Sequence, residues 1–185
     1  MVKLLLARDD VNPNTLNSDG ESPLLCASQL GHEGVVRLLL ARGDVNPNLT
    51  DWEGRTSLWL ASHWGREGVV RLLLARDDAN PDKPDRESNT PLVEASLFGH
   101  EGVVRLLLAR GDVNPNKPDK NGRPLWLASS KGYEGIVRLL LARPDVNPHR
   151  SDKGGRTPLG IACQRGHFPI IALLRSQTTL CTGMD

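Results

Sequence analysis

A chain of 185 residues, 38% apolar and 4% aromatic, with 23 Lys/Arg against 22 Asp/Glu, carries a net charge of only +1. That balance gives no global field for nucleic acid or membrane, and no run approaches the roughly 20 apolar residues of a membrane span. Cys26, Cys163 and Cys181 form neither a C-x-x-C pair nor an even-numbered disulfide framework, which fits an intracellular, reducing compartment, cytoplasmic or nuclear.

The first element, Lys3-Leu4-Leu5-Leu6-Ala7, is too short for a signal peptide and runs into Arg8-Asp9-Asp10. It is an incomplete copy of a string that follows. EGVVRLLLAR stands unchanged at Glu33–Arg42, Glu67–Arg76 and Glu101–Arg110, and with one change, Ile136, at Glu134–Arg143. The steps are 34, 34 and 33 residues, and a looser copy, Phe168–Gln177, comes after another 34. A period of this size marks a solenoid in which each repeat packs only on its neighbours. The expected divisions of this single domain are a half repeat at 1–14, repeats at 15–48, 49–82, 83–116 and 117–149, and a C-terminal capping repeat with tail at 150–185.

Within a repeat the order is constant. Ser22, Thr56, Thr90 and Thr157 stand where a helix N-cap is wanted, and Pro23, Pro91, Pro124 and Pro158 take the first helical position. A short helix with small residues such as Ala61 and Ser62 ends at Gly31, Gly65, Gly99, Gly132 or Gly166. A second helix spans about Glu67–Arg76, apolar at Val69, Val70, Leu72, Leu73 and Leu74. Glu67 and Arg71 have the spacing of an exposed ion pair, and Arg76 suits the negative end of its helix dipole. Pro81 forbids continuation. The fourth repeat lacks the capping threonine and is one residue short, so a strained or loosened finger is expected at Asn121–Pro124.

Thr90-Pro91-Leu92-Val93-Glu94-Ala95 and Thr157-Pro158-Leu159-Gly160-Ile161-Ala162, with Gly31-His32, Gly99-His100 and Gly166-His167, resemble the ankyrin repeat. The resemblance covers essentially the whole chain. It implies an all-α solenoid of stacked antiparallel helix pairs with projecting β-hairpin-like loops, and a protein-binding role without catalysis or cofactor. Asp44-Val45-Asn46-Pro47-Asn48 and the 34-residue period are similar to arrays in large fungal multidomain proteins, some of them NTPase-type sensors. The family histidine of T-P-L-H is replaced by Leu25, Trp59, Val93, Trp126 and Gly160. Its hydrogen bonds to the loop are therefore expected to give way to apolar packing.

The candidate chemical sites reduce to repeat positions. His32, His100 and His167 recur two repeats apart, which separates equivalent atoms by roughly 16–20 Å, whereas ligands of one zinc lie about 2 Å from it. No nucleophile–base grouping and no G-K-[ST] phosphate loop is present. No catalytic, cofactor or metal residue is therefore assigned.

What varies between near-copies is more informative. The resemblance places loop tips and first-helix ends along a concave groove. The partner-binding residues assigned there are Trp52, Arg55, His63, Arg86, Asn89, Leu97, Lys120 and Arg123, centred on Trp52, Arg55, His63 and Arg86, with Trp52 beside Arg55 the leading hot-spot candidate because Trp and Arg are enriched in interface hot spots. Leu30, Trp64 and Phe98, just before the turn glycines, are expected to pack on neighbouring repeats. Residues 1–116 hold 12 Lys/Arg and 17 Asp/Glu, a net −5, and residues 117–185 hold 11 and 5, a net +6. The basic end suits an acidic partner or is simply a solvated surface.

The leading expectation is a non-catalytic protein–protein interaction module, monomeric, with an unidentified protein partner and neither nucleic acid nor membrane. The alternative is a spacer segment of a larger multidomain protein. Arg175, Ser176 and Gln177 replace apolar residues of the second helix, as a C-terminal cap requires. Val2–Arg8 shows no such change, so the expectation is the C-terminal piece of a longer array, with a frayed or self-associating N-terminal half repeat.

Overall fold

The computed structural model describes residues 11–117 and 123–181. Ten helices occur among them: α1 (Pro23–Leu30), α2 (Glu33–Leu40), α3 (Ser57–His63), α4 (Glu67–Leu74), α5 (Pro91–Phe98), α6 (Glu101–Leu108), α7 (Pro124–Lys131), α8 (Glu134–Leu141), α9 (Pro158–Arg165) and α10 (Phe168–Cys181). The expected caps form. Ser22 accepts from the Leu25 N–H at 3.3 Å, Thr56 from Trp59 at 3.1 Å, Thr90 from Val93 at 3.3 Å and Thr157 from Gly160 at 3.1 Å. Each satisfies an amide that the first turn leaves without a carbonyl. Arg123 opens α7 with no side-chain cap. The rest of the short finger, 118–122, lies outside the described residues, as does the half-repeat helix Val2–Arg8.

The helices stack in two layers. The first helices α1, α3, α5, α7 and α9 pack side by side, and the second helices α2, α4, α6, α8 and α10 form the other row. Small residues on the first helices, Ala27, Ala61, Ala95, Ala128 and Ala162, let the rows close on one another. From the second helices come Val36, Leu39, Val70, Leu73, Val104, Leu107, Val137 and Leu140, all buried. Each large side chain so buried contributes about 1.5–3 kcal/mol. In α10, Ile170 and Leu174 are buried while Arg175 and Ser176 are exposed. This is an all-α solenoid. Its fingers are tighter than hairpins, with one isolated bridge, Thr50 to Thr56, among the described residues.

Among the described residues, four fingers each owe their shape to one side chain. Asp51 Oδ1 accepts from the N–H groups of Glu53 and Arg55, Asp85 Oδ1 from Glu87 and Asn89, and Asp152 Oδ1 from Gly154 and Arg156. Asn17 does the same for Asp19 and Glu21. These are Asx turns.

Bonds between repeats come from residues with a different expected task. Arg76 reaches past its own helix to the preceding one: Nη1 donates to the Leu40 carbonyl at 3.1 Å, and Nη2 holds Asp78 at 2.7 Å. Arg110 does this to Leu74 at 3.1 Å and Arg143 to Leu108 at 3.0 Å. The dipole argument thus holds for the neighbouring helix rather than the residue's own, because an arginine spans one helix spacing. The i,i+4 ion pair forms at Glu101–Arg105 and Glu134–Arg138; the Glu67 carboxylate lies against Gly102 of the next repeat.

Candidate functional site

The histidine-bearing turns are structural. His100 Nε2 donates to the His63 carbonyl at 2.9 Å, and His167 Nε2 to that of Ser130 at 3.3 Å. The His100 ring lies so close to Gly65 (φ +66) that a Cβ there would stand 2.6 Å from it. Arg66 covers Gly31 and Tyr133 covers Gly99 in the same way. The position after the turn glycine is thus a strap onto the preceding repeat, filled by His, Arg or Tyr.

The assigned residues fall into distinct environments. Trp52 is 58% exposed, with its indole resting on Gly20 of the preceding finger. Arg86 is exposed on the third finger, and its N–H donates to the Glu53 carbonyl at 2.9 Å. Arg55 is held within its own finger by Asp51 (2.7 Å) and Glu53 (2.6 Å) and sits 5.6 Å from the Trp59 ring centre. Asn89 is only 8% exposed. Leu97 is half-buried beside Val93, Trp126, Leu127 and Ile161. Arg123 donates to the Asn116 carbonyl, and Lys120 lies outside the described residues.

His63 joins the fingers to the helix ends. Its ring stacks on Trp59 (5.1 Å, 11°) and meets Trp64 (5.0 Å, 76°) and Phe98 (4.5 Å, 65°) edge to face. Phe98 therefore does pack on a neighbouring repeat, yet it stays 47% exposed, with Trp64 at 48% and Leu30 at 59%. The three occupy one position in three successive repeats, so they form a row. Their exposure was not foreseen, because a residue before a turn glycine normally faces the next repeat; here the straps take that place.

Two further residues were missed. Trp59, in place of the family histidine, donates from Nε1 to the Asn89 carbonyl of the next finger at 3.0 Å. The loop hydrogen bond is thus kept by a different donor rather than lost to apolar packing. Trp126 shows the contrast: its Nε1 is buried without a partner. Glu94 is 3% exposed and accepts from His63 Nδ1 at 2.8 Å. Its counterparts are Cys26, Leu60, Leu127 and Ile161. That column held the signal: one carboxylate among weakly polar and apolar residues. Trp59, Asn89 and Glu94 line a cleft of 280 Å³ between the second and third fingers.

The Cys26 thiol is not activated. Burial, then the nearby Glu21 carboxylate, pushes the Cys26 thiol up to about 11, so it stays protonated. Among the described residues no helix is long and apolar enough to cross a membrane.

The sequence model of the family described as ankyrin repeats (3 copies) matches residues 1–85, 53–119, 77–152 and 112–183. A search of curated proteins gives no match.

Proposed function

Since the chain belongs to the ankyrin repeat family, whose members are generally non-catalytic protein–protein interaction modules, we propose that it binds a protein partner through the finger and first-helix face and has no activity of its own. The observation that supports this most is the row Leu30, Trp64 and Phe98, each about half exposed on successive repeats, with Trp52 and Arg86 exposed on the adjoining fingers. Contiguous apolar exposure rimmed by polar groups favours partner binding over a spacer role. The residues identical between repeats lie elsewhere, on the second helices and at the junctions, so the face can change without disturbing the stack.

The test is affinity capture from extract of the source cells, followed by cross-linking. A Trp64→Ala/Phe98→Ala variant and a Trp52→Ala variant should each lose the captured protein. An Arg71→Ala variant on the second-helix side should retain it. Retention by both groove variants, with cross-links on the second helices, would refute the reading.

A further inference from the structure

We propose that the row of first-helix ends receives a segment of the protein partner that is apolar at one end and rich in aspartate or glutamate at the other. The apolar end lies over Leu30, Trp64 and Phe98, and the acidic end over Lys131 and Arg165. This rests on the protein-binding reading above and adds the chemistry and orientation of what binds.

The residue before each turn glycine reads Leu30, Trp64, Phe98, Lys131, Arg165 along the chain, and all five are exposed. Their helices pack in that order, so the row is apolar over three repeats and cationic over the next two. With helices roughly 8–10 Å apart, the apolar part spans roughly 16–20 Å and the whole row roughly 32–40 Å. The fingers change in the same direction. Two places after the residue that closes the turn stand Asp19, Glu53 and Glu87, but Gly154 in the last finger, with Lys153 exposed beside it. The excess of +6 over residues 117–185 has its origin on this face. Glu134, Arg138, Arg143 and Asp145 cancel on the second helix and its junction, as do Arg175 and Asp185. The excess therefore belongs wholly to the first helices, the fingers and the links into them.

Among the described residues Arg156 is paired with Asp152 at 2.8 Å, whereas no ion pair engages Lys131, Lys153 or Arg165. Burial and then the like charge of Arg150 hold the Arg123 guanidinium below its usual value, so cations crowd this end. An arriving carboxylate relieves that repulsion. Lys131 and Arg165 also suit the negative ends of their own helices. That alone does not account for them, since Leu30, Trp64 and Phe98 close the sister helices and Lys153 stands on a finger. A nucleic acid fits less well. Its phosphates run the length of the strand and would meet Glu53 and Glu87 on the fingers adjoining the apolar part. A polypeptide can carry its charge at one end only.

The experiment uses the full isotope-labelled chain and capped fourteen-residue probes, long enough for the row at about 3.3 Å per residue. The first probe alternates leucine with serine, then glutamate with serine. The second has lysine in place of glutamate, and the third is an oligothymidylate of fourteen units. The first should bind. A nitroxide on its apolar end should broaden the Trp64 indole N–H signal, and one on its acidic end the Gly132 and Gly166 amides. Lys131→Glu/Arg165→Glu should weaken it about tenfold, and Lys153→Glu, away from any helix end, about threefold. Arg105→Glu/Arg138→Glu makes the same change in net charge on the second helices and should leave affinity within twofold. Equal loss in that control would mean diffuse attraction and overturn the proposal. Equal binding of the lysine probe, or broadening of both regions by either label, would also overturn it. Tighter binding of the oligothymidylate at Gly132 and Gly166 would overturn it in favour of a nucleic-acid face. If capture of the cellular partner then still depends on Trp64 and Phe98, only the claim about the acidic end has failed.

Discussion

Replacing Asp82 with asparagine should stabilise the protein. Three repeat junctions are closed by the same device. Asn14, Asn48 and Asn116 donate from Nδ2 to the carbonyls of Asp44, Asp78 and Asp145 at 2.7, 2.6 and 2.5 Å. Their Oδ1 atoms accept from the N–H groups of Asn46, Asn80 and Asn147 at 2.9, 2.8 and 3.2 Å. At the remaining junction the residue is Asp82. It keeps the accepting half, Oδ2 from the Asn114 N–H at 2.9 Å, but its Oδ1 is buried without a partner. An ionised carboxylate has nothing to donate to the equivalent carbonyl, that of Asp112. Asp82→Asn supplies the missing N–H, about 1 kcal/mol for the bond, and removes part of an unsatisfied-acceptor penalty of about 1–3 kcal/mol. Lys117 draws the charged form back, so the expected gain is about 1–2 kcal/mol. Urea unfolding followed by circular dichroism at pH 7 should show a higher midpoint with unchanged slope. The pH dependence has a definite sign. Burial holds the Asp82 carboxyl above its ordinary range. The native state thus binds this proton more readily than the unfolded one, and the penalty is present above the folded pKa and relieved as pH falls through it. A neutral carboxyl can donate as the amide does, so the two proteins should converge toward pH 4. No gain at pH 7, or a gap constant from pH 7 to 4, would refute the reasoning.

Three further outcomes follow from single positions. Ser88 has φ +72, at the finger position held by Gly20, Gly54 and Gly155; Ser88→Gly should raise stability by about 0.5–1 kcal/mol, and a lower urea midpoint would contradict this. Trp59→Phe should cost about 1–2 kcal/mol because the Asn89 carbonyl loses its donor, whereas Trp126→Phe should be close to neutral because its N–H bonds nothing. Equal losses in thermal unfolding would sink that distinction. Hydrogen bonds from Arg42, Arg76, Arg110 and Arg143 hold Asp44, Asp78, Asp112 and Asp145 below the usual carboxylate range. Their stabilisation is complete above the unfolded value near pH 4 and is lost as pH falls through the lower folded values. An acid titration should therefore show stability falling mainly below pH 4, less steeply in Asp78→Asn/Asp112→Asn.

The elements were legible where the signal is local. A Ser or Thr hydroxyl three residues before an amide caps the helix whatever surrounds it, and Pro81 breaks one regardless of context. The second helices end at Leu40, Leu74, Leu108 and Leu141, two residues short of the repeated string, because Arg42, Arg76, Arg110 and Arg143 turn away to the preceding repeat. That reach across a junction is a tertiary fact that periodicity does not encode. The candidate face was legible only in outline. Variation between copies pointed to the fingers, but it ranks Asn89 with Arg86, though one is buried in the cleft wall and the other stands in solvent. Glu94 escaped notice because a glutamate on a short helix normally faces water; only comparison down its column exposes it.

The pattern of identity between repeats has a physical cause beyond duplication. A freshly copied array would be uniform along its length, yet here the second helix and the Asn-Pro junction are nearly invariant while first helices and fingers differ. The invariant part contains the residues whose partners lie in the adjacent repeat: the arginine bonded to the preceding helix end, the asparagine bridging junctions, and the glycines at Gly68, Gly102 and Gly135 against which Glu33, Glu67 and Glu101 lie. A change at such a site must be matched in another repeat to avoid leaving a carbonyl or carboxylate unpaired, so single substitutions there are penalised twice. Surface ion pairs such as Glu101–Arg105 contribute too little to explain their own identity. In the described fingers the turn itself is closed by the finger's own aspartate or asparagine, and the contacts to the preceding finger are made by main chain, as from Arg86 to Glu53, or by an indole face, as from Trp52 to Gly20. At one register position the fingers carry Trp52 or Arg86 while the same Asx turn is kept. The arrangement therefore confines variation to the face that carries Trp52, Arg86, Trp64 and Phe98, and new binding specificity can arise there one residue at a time.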